Sequence, residues 1–470
     1  MKDRKYELQL ISSHSYSEIE EKLAKMAKKG WLLEKIGSFL WTYRRIEPQK
    51  LTFCVCCFPK ASAFDPEPSE EQQTFLDFCR QTGWTLAASA AQVQIFCNET
   101  EDPVPIETDP MTEVDAISRS IKRSSLAGFF VLFGLAILNG VLFLNRLHND
   151  PIGVLSSKAN LFTGLCWALM ILMNGVEIAN FYIWHHRAVR AAEQGIFLES
   201  GSRRYFQRFC LAVLTLGLGC YFWSVFTSGD KLMHTAVILM FCLYLPGLYF
   251  LVYGIKTFLK RKKAPAGVNR TVTLVSAFAV GLLLIGGITL AVLSASARGW
   301  FAGADDDVYK HNGITFTAHH DALPLTVEDL LGVQYDGYNR EARTEETFLL
   351  AHMEFYQHPR FDAADYREMP ELEYDITLIK VPALYDICKK AILNDWARWR
   401  EDCAVTIPPD DWSAVEVHQM TDRNYGPGNR FLLCYPDRII EIWFAWEPSP
   451  EQMKIAGEKL GLTDPARLLQ

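Results

Sequence analysis

The opening residues, MKDRKYELQLISSHS, lack the apolar core of a secretory leader and the small-residue cleavage site that would end one. The first domain is therefore expected to stay in the cytoplasm. Residues 299–470 contain no G-x-S-x-G, HExxH or zinc-ligand spacing, and Asp305-Asp306-Asp307 lacks the spacing of an EF-hand loop. That leaves no motif for a hydrolase, a metal centre or a cofactor, and none of the three is expected. Positive charge is scarce in two places. Between the first and second long apolar runs stand only Arg146 and Lys158, and between the third and fourth only Lys231.

What is present is concentrated apolar sequence. A bilayer core about 30 Å thick takes roughly 20 apolar residues in a helix. Five runs are read as spans: 126–146, 161–184, 206–227, 232–255 and 271–295. Lys and Arg in short loops favour the cytoplasmic side. The rich loops hold Arg187, Arg190, Arg203 and Arg204 in one case and Lys260, Arg261, Lys262 and Lys263 in the other, and they alternate with the poor ones. The expected arrangement is a multi-pass cell-membrane protein with a cytoplasmic N-terminus, five crossings and an extracellular C-terminus. Charge balance agrees. From Gly299 onward there are 31 Asp+Glu against 16 Lys+Arg, whereas the remainder has 24 against 31. Acidic residues barely oppose export. LSASARG, residues 293–299, has the small-x-small form of a peptidase site but follows a run long for a leader, so a packed helix end is preferred.

Residues 1–110 read as an α+β domain with an internal repeat. SEIEEKLAKMAKKGW places Ile19, Leu23, Met26 and Ala27 on one helical face, with Gly30 as the C-terminal stop and Trp31 opening an extended segment. EEQQTFLDFCRQTGW repeats the device with Phe75, Phe78 and Cys79 on a face and Gly83-Trp84 at the end. β-like sequence follows each, which predicts two helices on an antiparallel sheet. Cys54, Cys56 and Cys57 form a C-x-x-C pair with one extra thiol. Strand alternation puts Cys54 and Cys56 on one face and Cys57 on the other, so buried reduced thiols are favoured over a metal site. The acidic, Pro-rich stretch at 99–113 signals a linker, and 111–125 is assigned as one.

The run EKLAKMAKKGWLLEKIGSFLWTYRRIEP, with the Phe39, Tyr43 and Pro48 spacing inside it and a second helix ending in TGW, resembles a bacterial family catalogued as domain of unknown function 2812. The likeness covers about residues 5–110. It implies a cytoplasmic domain ahead of several membrane spans, in genes often placed beside PadR-type regulators. It carries no established activity and no catalytic residue.

Within the second run, Asn174, Glu177 and Asn180 recur every three residues and form a polar stripe, with Asn139 of the first run as a possible partner. Two readings stay open: a proton or cation site, or hydrogen bonding between helices. Pro246-Gly247 is expected to kink the fourth run, and small residues in the fifth allow close helix approach. The C-terminal part reads as a second α+β domain. Its expected elements are a Thr326-capped VEDLL helix, strands in ETFLLAHMEFYQ and LEYDITLIKV, and a helix with Leu384, Ile387, Cys388 and Ala391 inward. A hairpin around Pro436-Asp437 and a final helix from Ser449 to Gly461 complete it. His319, His320 and Asp321 read as a solvated loop, and Trp396, Trp399, Trp443 and Trp446 as core. Cys388, Cys403 and Cys434 allow at most one disulfide. The functional expectation is a non-enzymatic membrane regulator or sensor, in the manner of an envelope-stress-related binding protein. Its partners would be the lipid bilayer, a cytoplasmic protein and an external ligand or envelope protein, with no nucleic acid. The alternative is a transporter or an accessory subunit of one, using Glu177. An enzyme would be favoured only by a pocket of converging titratable groups.

Overall fold

A computed structural model of the chain describes residues 3–8, 16–37, 40–66, 68–106, 109–122, 126–198, 204–227, 231–303, 306–399, 403–422 and 426–461. At 204–208, 224, 227, 231, 233, 398, 399, 403 and 422 it describes the backbone alone. Phe39, Arg203 and Asp305, all singled out from sequence, lie outside the described residues, as do the side chains of Arg204, Trp399 and Cys403.

The N-terminal domain is a βαββ unit made twice. The first copy is β1 (Arg4–Leu8), α1 (Tyr16–Lys28), β2 (Trp31–Lys35) and β3 (Leu40–Arg45). The second is β4 (Thr52–Cys57), α2 (Glu70–Gln81), β5 (Thr85–Ala90) and β6 (Val93–Asn98). Each copy forms its own three-stranded antiparallel sheet, in the orders β1-β3-β2 and β4-β6-β5, so the single sheet expected from sequence is two. Both helices stop at a glycine in the left-handed region, Gly30 at φ +80° and Gly83 at φ +87°. Only glycine takes that conformation at no steric cost. Ile19, Leu23, Met26 and Ala27 of α1 pack on Trp41 and Tyr43 of the first sheet and on Phe53, Val55 and Ile95 of the second. The opposite face of the second sheet carries Cys56 and Phe96 against Cys79 and Phe75 of α2, while Phe78 is 53% exposed and does not join them.

The segment assigned as a linker is partly helical. α3 (Pro110–Ile121) begins at Asp109, whose carboxylate accepts from the amides of Met111 and Thr112, with Pro110 in the first turn. Val114, Ile117 and Ile121 of α3 are buried against Phe181, Trp184 and Ala188 of α6 (Lys158–Ala192).

The long helices are α4 (Ala127–Asn149), α6, α7 (Arg204–Thr227), α8 (Lys231–Leu239) running through a π turn at Met240–Tyr244 into α9 (Leu245–Arg261), and α10 (Ala266–Ser296). A short α5 (Pro151–Ser156) joins α4 to α6. Four helical stretches, not five, are long and apolar enough to cross a membrane among the described residues: Ala127–Asn149, Lys158–Ala192, His234–Arg261 and Ala266–Ser296. The expected third span falls in α7, where the apolar helix counted is the shorter Phe209–Trp223. Pro246 cannot donate to the carbonyl four residues back and its ring crowds that turn, and the π turn lies immediately before it.

In the C-terminal domain a hairpin of β7 (Asp307–His311) and β8 (Ile314–Ala318) precedes α11 (Val327–Leu331). A seven-stranded antiparallel sheet follows, in the order β12-β13-β14-β15-β11-β10-β9. Its strands are β9 (Tyr338–Glu346), β10 (Leu350–Pro359), β11 (Leu372–Ile379), β12 (Cys403–Ile407), β13 (Glu416–Asp422), β14 (Gly426–Cys434) and β15 (Arg438–Phe444). α12 (Tyr385–Trp399) lies between β11 and β12, and α13 (Pro450–Gly461) comes last. Thr326 and Asp329 form a reciprocal capping box on α11, and Ser449 and Gln452 exchange the same pair of bonds at α13. One sheet face holds the main core, with Tyr374, Phe431, Ile442 and Phe444 packed against α11, α13 and the wholly buried Trp412. The other face holds Leu350, Ile379, Leu432 and Ile439 against Cys388, Ile392 and Trp396 of α12 and Ile152 and Leu155 of α5. The inward stripe of α12 is thus Cys388, Ile392 and Trp396. Ile387, expected inward, is 50% exposed.

The chain divides into two compact units. One gathers 1–138, 167–216 and 238–286; the other gathers 139–166, 217–237 and 287–470.

Candidate functional site

The sheet face beneath α12 and α5 is apolar at one end and polar at the other. Strand register sets a row of charged residues across four strands: Arg343 of β9 opposite Glu354 of β10, Glu354 opposite Asp375 of β11, and Asp375 opposite Glu441 of β15. Two residues along, Glu345 faces His352, which faces Thr377. Side chains two apart on a strand share a face, so both rows open the same way. They line a cavity of about 550 Å³. Its remaining wall is Asp395 and Ile392 of α12 and the corner between α4 and α6, with Arg146, Asn149, Asp150, Gly153 and Asn160. Asp150 builds that corner by accepting the Gly153 amide at 2.8 Å, and the Thr347 hydroxyl donates to the Leu155 carbonyl at 2.6 Å.

Glu441 accepts from the Trp396 indole at 2.7 Å and from Arg430 at 3.2 Å. Burial nevertheless raises its carboxyl above the ordinary range, against the pull of those two donors. Asp375 goes further. Burial pushes it up to about 7, with Glu441 and Glu354 adding to the rise and His352 opposing it. His352 has its Nδ1 3.0 Å from the Thr377 hydroxyl and its Nε2 3.6 Å from Glu354, an ion-pair distance. Burial works against the imidazolium, but Glu354, Asp375 and Asp150 together raise its pKa, and Glu354 in turn is held below the usual carboxylate range by His352. The cavity therefore brings six acidic residues (Asp150, Glu345, Glu354, Asp375, Asp395 and Glu441) to face Arg146 and Arg343.

None of these six acidic residues was singled out from sequence. Their signal was faint: polar residues at alternate positions of strands whose other face is apolar. His319 and His320, expected in a solvated loop, are half-buried and exposed respectively and pair with Asp306 and Asp307 at 3.0 Å each. Asp321 accepts the Ala342 amide at 2.9 Å. Cys388 and Cys434 are free buried thiols.

Among the polar residues expected in the spans, Asn174 is buried and its amide donates to the Met170 carbonyl at 2.7 Å. Asn139, Glu177 and Asn180 are half-buried, and Asn139 belongs to the other compact unit from the remaining three. Of the orientation residues, Arg187 and Arg190 ride on the last turns of α6, Lys260 and Arg261 end α9, and Lys262 and Lys263 follow it. The two helices flanking that loop, α9 and α10, meet the N-terminal domain. The Asn269 amide donates to the Phe64 carbonyl at 3.2 Å, and the Lys256 ammonium stands 5.3 Å from the centre of the Phe64 ring.

A second cavity, of about 250 Å³, lies among α1, β4, α3 and α6, lined by Tyr16, Glu20, Cys57, Glu113 and Trp184 among others. The Tyr16 hydroxyl is 2.8 Å from the Cys57 sulfur, while Cys54 and Cys56 lie with their sulfurs 3.4 Å apart on the opposite strand face, as alternation requires. Apart from β1, the two βαββ copies and α3 fall within the stretch that decides the family comparison. Residues 15–130 match the family model described as Protein of unknown function (DUF2812). The DUF2812 match runs from the start of α1 into the first turn of α4 and leaves the C-terminal domain and its acidic cavity outside it. The chain matches no curated protein and no solved structure.

Proposed function

We propose that this is a non-enzymatic, multi-pass membrane regulator that senses a small organic cation in the acidic cavity of its C-terminal domain. The observation carrying the reading is the cavity's double wall: one side is the polar end of the seven-stranded sheet, and the other is the corner between α4 and α6. An occupant touches the folded domain and the ends of two long apolar helices at once, and differential contact of that kind lets binding bias a helix arrangement.

The proposed topology is five crossings, with α7 as the third, the N-terminal domain in the cytoplasm and the C-terminal domain outside the cell. Membership of the two compact units supports it. Unit boundaries fall within the long helices and alternate along the chain, and both cation-rich loops share a unit with the N-terminal domain. Phe278 and Leu283 on α10, 71% and 73% exposed, suit a lipid environment. The cytoplasmic domain would hand the signal to a protein partner.

Binding has a proton signature. Near neutrality Asp375 is about half protonated, and a cation beside it favours its ionised form. Calorimetric titration of the detergent-solubilised chain with spermidine, in two buffers of different ionisation enthalpy, is expected to show one saturable site with net proton release at pH 7. Glu354→Gln should weaken binding at least about tenfold. Absence of saturable heat, or equal affinity in the variant, contradicts the proposal.

The same row favours one further reading. Asp375 and Glu354, with carboxyl groups pushed in opposite directions, have the form of an acid–base pair. Binding is preferred because the Thr377 hydroxyl beside His352, although it lines the cavity, is only 2% exposed and already pairs with the imidazole at 3.0 Å. The transport alternative rests on Glu177 and the Pro246-Gly247 pair, and Asn174, the neighbour of Glu177 in the polar stripe, spends its amide on its own helix.

A further inference from the structure

At the far end of the same sheet face stands a second constellation. Glu416 and His418 are two residues apart on β13, and Glu416 lies directly opposite Cys434 of β14. The carboxylate, imidazole and thiol donor atoms all fall within 4.8 Å of one another. We infer that these three residues form a transition-metal site suited to Zn²⁺.

Three observations carry this. His418 is 7% exposed, and its Nε2 has no hydrogen-bond partner although it stands 3.0 Å from Oε1 of Glu416. Its Nδ1 is 3.2 Å from the Thr406 hydroxyl; when Nδ1 donates there, Nε2 presents a lone pair to the carboxylate oxygen. In that tautomer two acceptors face each other at 3.0 Å, an arrangement that a cation satisfies. Second, the Lys389 ammonium takes the other oxygen of Glu416 and leaves Oε1 for the site. Third, the donor set is a borderline one, nitrogen, oxygen and sulfur, which Zn²⁺ accepts in tetrahedral form. Bond lengths of about 2.0–2.3 Å place tetrahedral donors about 3.3–3.6 Å apart, so closure needs adjustments of about 1 Å. Glu416 is half-exposed, which gives the ion a path in. Binding releases the Cys434 thiol proton to solvent as the Zn–S bond forms. A solvent molecule completes the fourth position.

The test is titration of the intact chain in detergent with Co²⁺, a spectroscopic substitute for Zn²⁺. The account expects one equivalent per chain, a thiolate-to-cobalt charge-transfer band, and bleaching by Zn²⁺. Cys434→Ser should abolish the band. His418→Ala should weaken binding at least about a hundredfold, and Thr406→Val about tenfold through loss of ring orientation. Because Lys389 competes for Glu416, Lys389→Met should tighten binding. That variant keeps the test decisive even if a ligand substitution unfolds the domain. A missing band, a band that survives Cys434→Ser, or binding unchanged or weakened by Lys389→Met overturns the site.

Discussion

Gly457→Ala is expected to destabilise the C-terminal domain by about 3 kcal/mol or more, one of the largest effects of a single methyl group in this chain. A β-carbon at that position would lie 2.1 Å from the Trp412 carbonyl oxygen and 2.6 Å from its carbon, and both are backbone atoms that cannot rotate away. Around that contact Trp412 is wholly buried, and the Tyr435 hydroxyl donates to the Trp412 carbonyl at 3.0 Å. The close approach of α13 is what lets Ala456 and Leu460 enter the main core. Thermal unfolding of the intact chain in detergent, followed by protease resistance of residues 299–470, measures the loss. An unchanged midpoint would mean that α13 does not pack as described.

Asp375→Asn should have the opposite sign and depend on pH. A carboxyl raised to about 7 in the folded chain, against about 3.9 unfolded, binds a proton in the native state that the unfolded state has released. Stability from this group is therefore complete below about pH 4, falls as pH rises between about 4 and 7, and levels off above, a loss of about 4 kcal/mol at most. Asparagine mimics the protonated form at every pH. The variant is expected to match the parent at pH 4 and to exceed it by a few kcal/mol at pH 8, measured by denaturant midpoints read through Trp396 fluorescence. A gain equal at both pH values would place the cost elsewhere. The prediction also bears on function, since a residue that weakens the fold at neutral pH is of the kind retained for a site.

Local chemistry made much of the fold readable. Gly30-Trp31 and Gly83-Trp84 marked the repeat because a left-handed glycine is a one-residue signal. The Thr326 box and the turn at Pro436-Asp437 were readable for the same reason. Asp109-Pro110 misled, because an aspartate before proline suits a turn as well as a helix start, and the burial of Val114 and Ile117 that decides between them depends on distant residues of α6. Ile387 misled by one helical position, since the stripe of α12 follows where the sheet lies. The acidic cavity was not readable at all. Asp375 meets Glu354 and Glu441 through register among strands far apart in sequence, and no local pattern encodes which strands become neighbours.

The proposed topology leaves the acidic cavity outside the cell and the DUF2812 stretch inside it. Protease added to intact cells, or to spheroplasts where an outer envelope intervenes, tests it most directly with antibodies raised to residues 16–98 and to residues 306–461. The second epitope is expected to be lost at once, and the first to survive until the membrane is permeabilised. Loss of the first with survival of the second, or loss of both before permeabilisation, would contradict it.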